Sequence, residues 1–453
     1  MQPGRVLVFS LVAIGLMGLA VLAGLGAPHA PSAEATSLLP AATLGTDFIP
    51  EVNMEAREWK VMGPWAAFLF YLAIALEVIV MVTPFTAYFY SIYAPILNRL
   101  ESNPLTAWLT AFFLPHISYT GDPILTTLAY LGPILFGLGL VIFFVCAYQV
   151  YSAKLLRRGV VSSGLYSWIR HPQYLGLGVA GLGLLLYWPR FIILVLYLTM
   201  LFVYYLLARN EESRMERQFG DSYRRYKAKI AMFLPGEPGG RIFTWLTRRS
   251  KCKGWALAGF YLLVLVAGVG LAFGFRSYAK GRVSTASDNG ILAVSLSGLP
   301  AGEVRSLLRA SLENSAVGGL ISKYHQQSGH ALVAYIVPQD YMMQHLIADL
   351  GEHEAHHGKG EEGGVLAVMK HLGEMYALKP LRQLRDGRAA RERRMIFTEA
   401  LTADGKEVST GRALDTNVLR YPLFFAELKG TEVALTMEAP RRHSWGTIPV
   451  PAF

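Results

Sequence analysis

Charged side chains are scarce in this chain: they make up 16% of its 453 residues, against 53% hydrophobic ones. So little charge excludes an ordinary soluble protein, in which about a quarter of the residues would be charged. Cysteine is nearly absent too. The two copies, Cys146 inside an apolar stretch and Cys252 in a basic loop, exclude a disulfide framework and cysteine-ligated metal spacing, and with them redox chemistry through sulfur. Excess positive charge is missing from most of the chain, although the net charge is +10. Residues 152–173 hold Lys154, Arg157, Arg158 and Arg170 with no acid, and residues 209–253 hold 12 basic against 5 acidic side chains, which together account for +11. The rest is about neutral, so no nucleic-acid surface is implied. The two basic loops instead predict a cytoplasmic face beside anionic headgroups.

What the chain has in abundance is long apolar runs. Residues 6–26, 64–90, 123–149, 191–208 and 255–275 are long enough, or nearly so, to cross a hydrocarbon core of roughly 30 Å, and a shorter run covers 174–187. The predicted fold is a polytopic α-helical membrane protein with about five to six membrane helices, one pair forming a hairpin, followed by a soluble α+β domain. Residues 1–27 read as a membrane anchor or signal, 28–62 as a surface segment and 63–150 as membrane helices. A core with the hairpin follows at 151–238, then a basic loop and last membrane helix at 239–276, then the soluble domain at 277–453. With Arg5 inside and one crossing per apolar run, the loop from Lys154 falls on the wrong side. Either "PLTAWLTAFFLP" (104–115) crosses or re-enters, or the N-terminus faces out. The last span places the C-terminal domain on the periplasmic or external side of what reads as a bacterial inner membrane. In that domain "ILAVSLS", "HALVAYIV", 394–402 and 418–438 read as strands, the last divided at 428–430, and 301–314 and 338–350 as helices.

Two polar clusters bracket the hairpin. "SSGLYSWIRHPQYLG" (162–176) places Arg170, His171 and Pro172 at the entrance of a glycine-rich apolar arm with Gly176, Gly178, Gly181 and Gly183. Such glycines allow close helix packing or close approach of a ligand. The second arm leaves the membrane in "ARNEESRMERQFGDSYRRYKAKIAMFLP" (208–235), where helical spacing puts Arg209 beside Glu212 and Glu212 beside Glu216. Because a hairpin returns the chain to its starting side, both clusters reach one membrane boundary.

In this order, the lead-in from Val161 to Tyr166, "RHPxYxG" from Arg170 to Gly176, the hairpin, "RxEE" from Arg209 and "FGxxYxxY" ending at Pro235 resemble the isoprenylcysteine carboxyl methyltransferase and phospholipid N-methyltransferase superfamily. The resemblance covers about 75 residues and implies S-adenosylmethionine as cofactor, reached from the cytosol, and a lipid-like acceptor reached from the bilayer. It implies that Tyr166, Arg170, His171, Pro172, Tyr174 and Gly176 line the cofactor pocket and that Glu211 binds cofactor amino or hydroxyl groups. Arg209 and Glu212 take the catalytic positions, Arg209 orienting an acidic acceptor or completing the pocket. No metal is implied. Methyl transfer from a sulfonium disperses positive charge in an in-line displacement, so positioning and exclusion of water carry the catalysis. A related branch, the sterol reductases, has asparagine before the corresponding tyrosine, and "HPQYLG" favours the methyltransferase side. The competing reading is a non-catalytic accessory subunit that keeps the methyltransferase-like core as scaffold and meets protein partners through 277–453.

Three further features stand out. Glu77 interrupts an apolar span, where an ionisable group marks either function or an interhelical partner. His116 reads as a boundary residue. The tract "GEHEAHHGKGEEGG", with His353, His356 and His357, has the composition of an exposed loop more than of a metal site, and the basic run at 382–394 reads as a solvated face or partner contact.

Overall fold

The computed structural model describes residues 64–90, 94–115, 122–156, 161–234, 253–328, 330–338 and 392–438. The N-terminal anchor, His116, the histidine-rich tract and the helix expected at 338–350 lie outside the described residues, apart from Pro338 itself. The chain divides into two compact units, one comprising Met1–Leu72, Ile142–Gln173 and Ala208–Pro238, the other Ala73–Val141, Tyr174–Leu207 and Gly239–Phe453.

Among the described residues four helices are long and apolar enough to cross a membrane. They are α1 (Pro64–Tyr90), α3 (Pro123–Leu155), α5 (Phe191–Phe219) and α7 (Lys253–Arg282), separated by the short α2 (Ala94–Glu101), by α4 (Pro172–Tyr187) and by α6 (Asp221–Lys229). At 33 residues α3 is ~50 Å long, more than the hydrocarbon core requires. Large apolar side chains project openly from these helices, among them Leu76 and Val80 on α1, Ile134 and Val141 on α3, and Leu262 and Val266 on α7. In lipid that exposure costs nothing, and a run of this kind on a water-soluble surface would aggregate. The chain is an integral membrane protein.

The glycines of α4 are explained by helix packing. A Cβ on Gly183 would lie 2.2 Å from the Phe136 nitrogen, and one on Gly139 would lie 2.6 Å from the Gly176 oxygen, so α3 and α4 meet backbone to backbone. Gly178 and Gly181 face α5 instead, where Leu201, Met200 and Tyr197 occupy the space a side chain would need. Pro84 interrupts the hydrogen-bond ladder of α1. The hydroxyl of Tyr204 accepts from the Phe85 N–H at 3.1 Å, and Tyr88 donates to the Gly181 carbonyl at 2.8 Å, which ties α1 to the hairpin arms.

The segment 104–115 does not cross as a helix. It makes a 3-10 turn at Ala107–Thr110 and then runs extended, with Phe112 bridged antiparallel to Arg190. Phe113 N–H donates to the Pro189 carbonyl at 2.8 Å and Phe191 N–H to the Ala111 carbonyl at 3.1 Å. Two prolines bracket a stretch too short to span, and its backbone polar groups are met by the hairpin turn. Arg190, 1% exposed, donates to the Thr110 carbonyl at 2.7 Å and lies 4.3 Å over the Phe112 ring, with the buried Glu101 as its charge partner.

The soluble domain is a six-stranded sheet in the order β1 (Thr285–Asp288), β2 (Ile291–Ser295), β3 (Ala331–Pro338), β4 (Glu392–Thr402), β5 (Val418–Lys429) and β6 (Glu432–Glu438). Among the described strands only β2 and β3 pair in parallel, with Leu292 opposite Val333, and the helices α8 (Ala301–Glu313) and α9 (Ser315–Ser328) connect them. Parallel pairing demands such a crossover. Val304, Leu307 and Leu308 of α8 pack with Ala334, Ile336, Met395, Phe397 and Phe424 of the sheet. The expected strands stand where the alternation places them. Two further elements went unforeseen: β1, whose "TASD" carries no apolar alternation, and α9, whose first turns contain Gly318 and Gly319.

Candidate active site

Five short stretches build the site: the end of α3, the 3-10 turn Gly164–Ser167, residues 168–173, the end of α5 with α6, and residues 230–234. The two sequence motifs meet through backbone. Ile169 bridges Ala231 in parallel, Arg170 N–H donates to the Ala231 carbonyl at 2.8 Å, and His171 N–H donates to the Met232 carbonyl at 3.1 Å. Pro172 then begins α4 at its first helical position, where a missing N–H costs nothing and φ is already helical.

Side chains lock this junction. The guanidinium of Arg170 donates through Nε to Glu212 Oε1 at 2.7 Å, and through Nη1 to the Lys227 carbonyl at 2.9 Å and to the Ile230 carbonyl. Arg170 and Glu212 side chains are 5% and 3% exposed. Lys227 Nζ sits 3.0 Å from Glu212 and 2.7 Å from Glu216. Burial works against the Lys227 ammonium, but hydrogen bonds to Glu216 and Glu212 outweigh it and hold its pKa above the usual lysine value. The imidazole of His171 is also buried, with Nδ1 3.6 Å from Glu211 and Nε2 3.5 Å from Glu212, and its ring lies 5.9 Å from that of Phe233. The Glu211 side chain is 24% exposed, eight times as much as that of Glu212.

A second layer fixes the lead-in. The hydroxyl of the buried Tyr166 lies 3.0 Å from Gln173 Oε1 and 3.2 Å from the Cys146 carbonyl, and Tyr226 donates to the Tyr166 carbonyl at 2.7 Å. Burial, reinforced by neighbours including Glu211, pushes the Tyr166 phenol far above its ordinary pKa, so it stays a neutral donor. Burial raises Tyr226 to about 12, Arg170 opposing and Glu212 adding to the shift. Gly164, at φ +63°, makes a turn that suits glycine, and a Cβ there would lie 3.2 Å from Gln149 Nε2.

Of the residues singled out in the sequence, Tyr166, Arg170, His171, Glu211 and Glu212 are brought together, with Pro172 adjoining. Arg209 is exposed on α5, where its carbonyl accepts from the Ser213 hydroxyl. Tyr174 and Gly176 lie further along α4, where Tyr174 stacks on Tyr204 at 5.0 Å and Gly176 abuts Gly139. Lys227, Gln173 and Tyr226 were not singled out as site residues. The basic run "YRRYKAK" hinted at a cation on α6 without saying which one turns inward.

The chemistry of this donor set fits a cationic ligand. Glu212 and Glu216 face Arg170 and Lys227, and Glu211 beside His171 adds a third carboxylate, one more than the arginine and lysine of this cluster. Carboxylates at a partly desolvated boundary accept from ammonium and hydroxyl groups.

Residues 128–222 match the family model described as phospholipid methyltransferase, a stretch that takes in most of α3, the hairpin and the site residues from Tyr166 to Glu216, and ends before Tyr226, Lys227 and residues 230–234. No curated protein and no solved structure gives a significant match. Residues 128–222 are therefore similar to a phospholipid methyltransferase domain, which supports a membrane methyltransferase in general, and the C-terminal sheet lies outside the matched residues.

Proposed function

We propose that the cluster at the motif junction binds S-adenosylmethionine from the cytosolic side and directs its methyl group to the amine headgroup of a membrane phospholipid. The observation that supports this reading is the accessible Glu211 carboxylate beside a buried His171, held where the two motifs pair. When bound, the cofactor supplies a sulfonium methyl. Glu211 accepts hydrogen bonds from its ammonium or hydroxyl groups, and His171, with Tyr166 behind it, shapes and dries the methionine end. Glu212 acts through Arg170 and Lys227: its carboxylate is committed to them, so its part is positioning. Arg209, exposed near the end of the apolar arm, contacts the phosphate of the acceptor, for which its planar fork is suited. Orientation of two reactants in a dry site can lower a barrier by roughly 7 to 11 kcal/mol, which suits a reaction that needs no covalent nucleophile.

The phospholipid acceptor is favoured over a prenyl or lipid carboxylate by the matched family's description. Purified protein in nanodiscs, given methyl-labelled cofactor, is expected to transfer label to phosphatidylethanolamine, and a Glu211→Gln variant is expected to lose at least tenfold. Label appearing only on an added prenylcysteine would move the acceptor to the carboxylate class. A folded protein that labels neither lipid would leave the scaffold reading in its place.

A further inference from the structure

A cleft lies at the end of α7, the last of the long apolar helices among the described residues. At its C-terminal end Phe273, Arg276, Ser277 and Lys280 fall at helical spacings on one face and, with Asp415, Thr416 and Asn417 from the loop before β5, line an open cleft of about 370 Å³. Arg276 anchors the cleft. It is 4% exposed and donates to the Phe112 carbonyl and, at 2.7 Å, to the Leu414 carbonyl, so the loop from the soluble domain is fixed against the helix.

Charge in this place is unbalanced. The cations are Arg276, Lys280, Arg412 and the buried Arg420, which lies close enough to Arg276 to repel it. The acid beside them is Asp415, 3.1 Å from Arg412 and 3.8 Å from Lys280. Asp122, the other carboxylate near this helix end, accepts from Tyr278 at 2.9 Å and lies 3.5 Å from Arg282. The cleft itself is lined by two cations, Arg276 and Lys280, one carboxylate, Asp415, and hydroxyl and amide donors from Ser277, Thr416 and Asn417, which favours an anion.

The helix surface below says which kind. Leu262, Val266 and Phe273 are 60%, 63% and 42% exposed and lie in one stripe leading to Ser277. Gly270 interrupts that stripe with open space above it, leaving a shallow groove. A polar, cationic cleft at the end of an apolar groove matches a phosphate headgroup joined to an acyl chain. We propose that this cleft binds an anionic phospholipid, its phosphate beside Arg276 and Lys280 and one chain along the Leu262–Val266–Phe273 stripe, separately from the methyltransferase cluster.

Native mass spectrometry of the full chain, released from nanodiscs containing phosphatidylglycerol and phosphatidylcholine in equal parts, tests this. Retained phosphatidylglycerol is expected in preference to phosphatidylcholine, and Lys280→Glu is expected to weaken that preference at least about fivefold, since the loss of one cation near a headgroup alone predicts about that and the new carboxylate adds repulsion. Ser277→Leu, which fills the cleft without changing charge, is expected to weaken it as well. Equal retention of both lipids, or a preference untouched by both variants, would overturn the proposal. So would displacement of the lipid by millimolar inorganic phosphate, which would make this a soluble-anion site. Arg276→Gln is informative only if it folds, and the two exposed positions decide the matter without it.

Discussion

Glu211 and Glu212 are neighbours in sequence with different parts in the structure. Glu212 is buried between Arg170 and Lys227, and removing one partner of a buried pair leaves an uncompensated charge. Glu212→Leu is therefore expected to destabilise the protein by roughly 3 to 5 kcal/mol, read as a fall in the thermal midpoint, with part of the loss recovered by adding Arg170→Met. Glu211→Gln, at a side chain 24% exposed, is expected to shift stability by no more than about 0.5 kcal/mol. Two adjacent glutamates with such different costs could not be told apart from "RNEESR". The helix period names both as near the boundary, but which one turns inward depends on the ladder between Ile169 and Ala231, a contact 62 positions apart. Glu101 titrates in an informative range. Burial, only partly offset by Arg190 and Thr110, raises its pKa from 4.5 to about 7. The native state then holds a proton that the unfolded chain has lost, so this group favours folding least at high pH, its penalty growing as pH rises from about 4.5 through 7. Glu101→Gln is expected to raise the thermal midpoint at pH 8, by the equivalent of up to about 3 kcal/mol, and to leave it unchanged at pH 4.5. An equal effect at both values would exclude the titration.

At the scale of elements, backbone contact between α3 and α4 makes particular glycines irreplaceable. Gly183→Val would drive a side chain into the Phe136 backbone, and loss of monodisperse protein on size exclusion is expected. Gly137→Ala, on the facing helix α3 with nothing within 4 Å, is expected to be tolerated or to stabilise by about 0.5 to 1 kcal/mol. The sequence announced a glycine-rich arm but left two explanations open, packing or ligand access, because composition does not say what a bare backbone faces. The four long helices and most strands were legible for a simpler reason: each depends on a periodicity within one segment. The segment 104–115, which the sequence left open as a crossing or a re-entry, was ambiguous for the converse reason: it is buried against the hairpin turn through contacts with Pro189 and Phe191 far along the chain.

For the whole molecule, the basic loops before α4 and after α5 predict, by their charge, that the cluster faces the cytosol. A single long apolar helix, α7, separates residue 222 from residue 406 among the described residues. In whole cells of a Cys252→Ser background, a cysteine at Lys406 is expected to react with an impermeant maleimide. One at Ser222 is expected to react only after the membrane is opened. The reverse pattern would invert the topology. The loop charges predict a sidedness that this labelling tests, whereas the cleft at the end of α7 was not legible in the sequence, because Lys280 and Asn417 are joined only by the folding of the soluble domain.

The central claim is that the paired motifs form a working cofactor site. Calorimetric titration of the purified, folded protein with S-adenosylmethionine tests it most directly, with Glu211→Gln and His171→Ala measured alongside. Saturable one-to-one binding that weakens at least tenfold in both variants, at unchanged thermal stability for Glu211→Gln, is the predicted result. No heat of binding from the unmodified protein, or binding that neither variant alters, would contradict it.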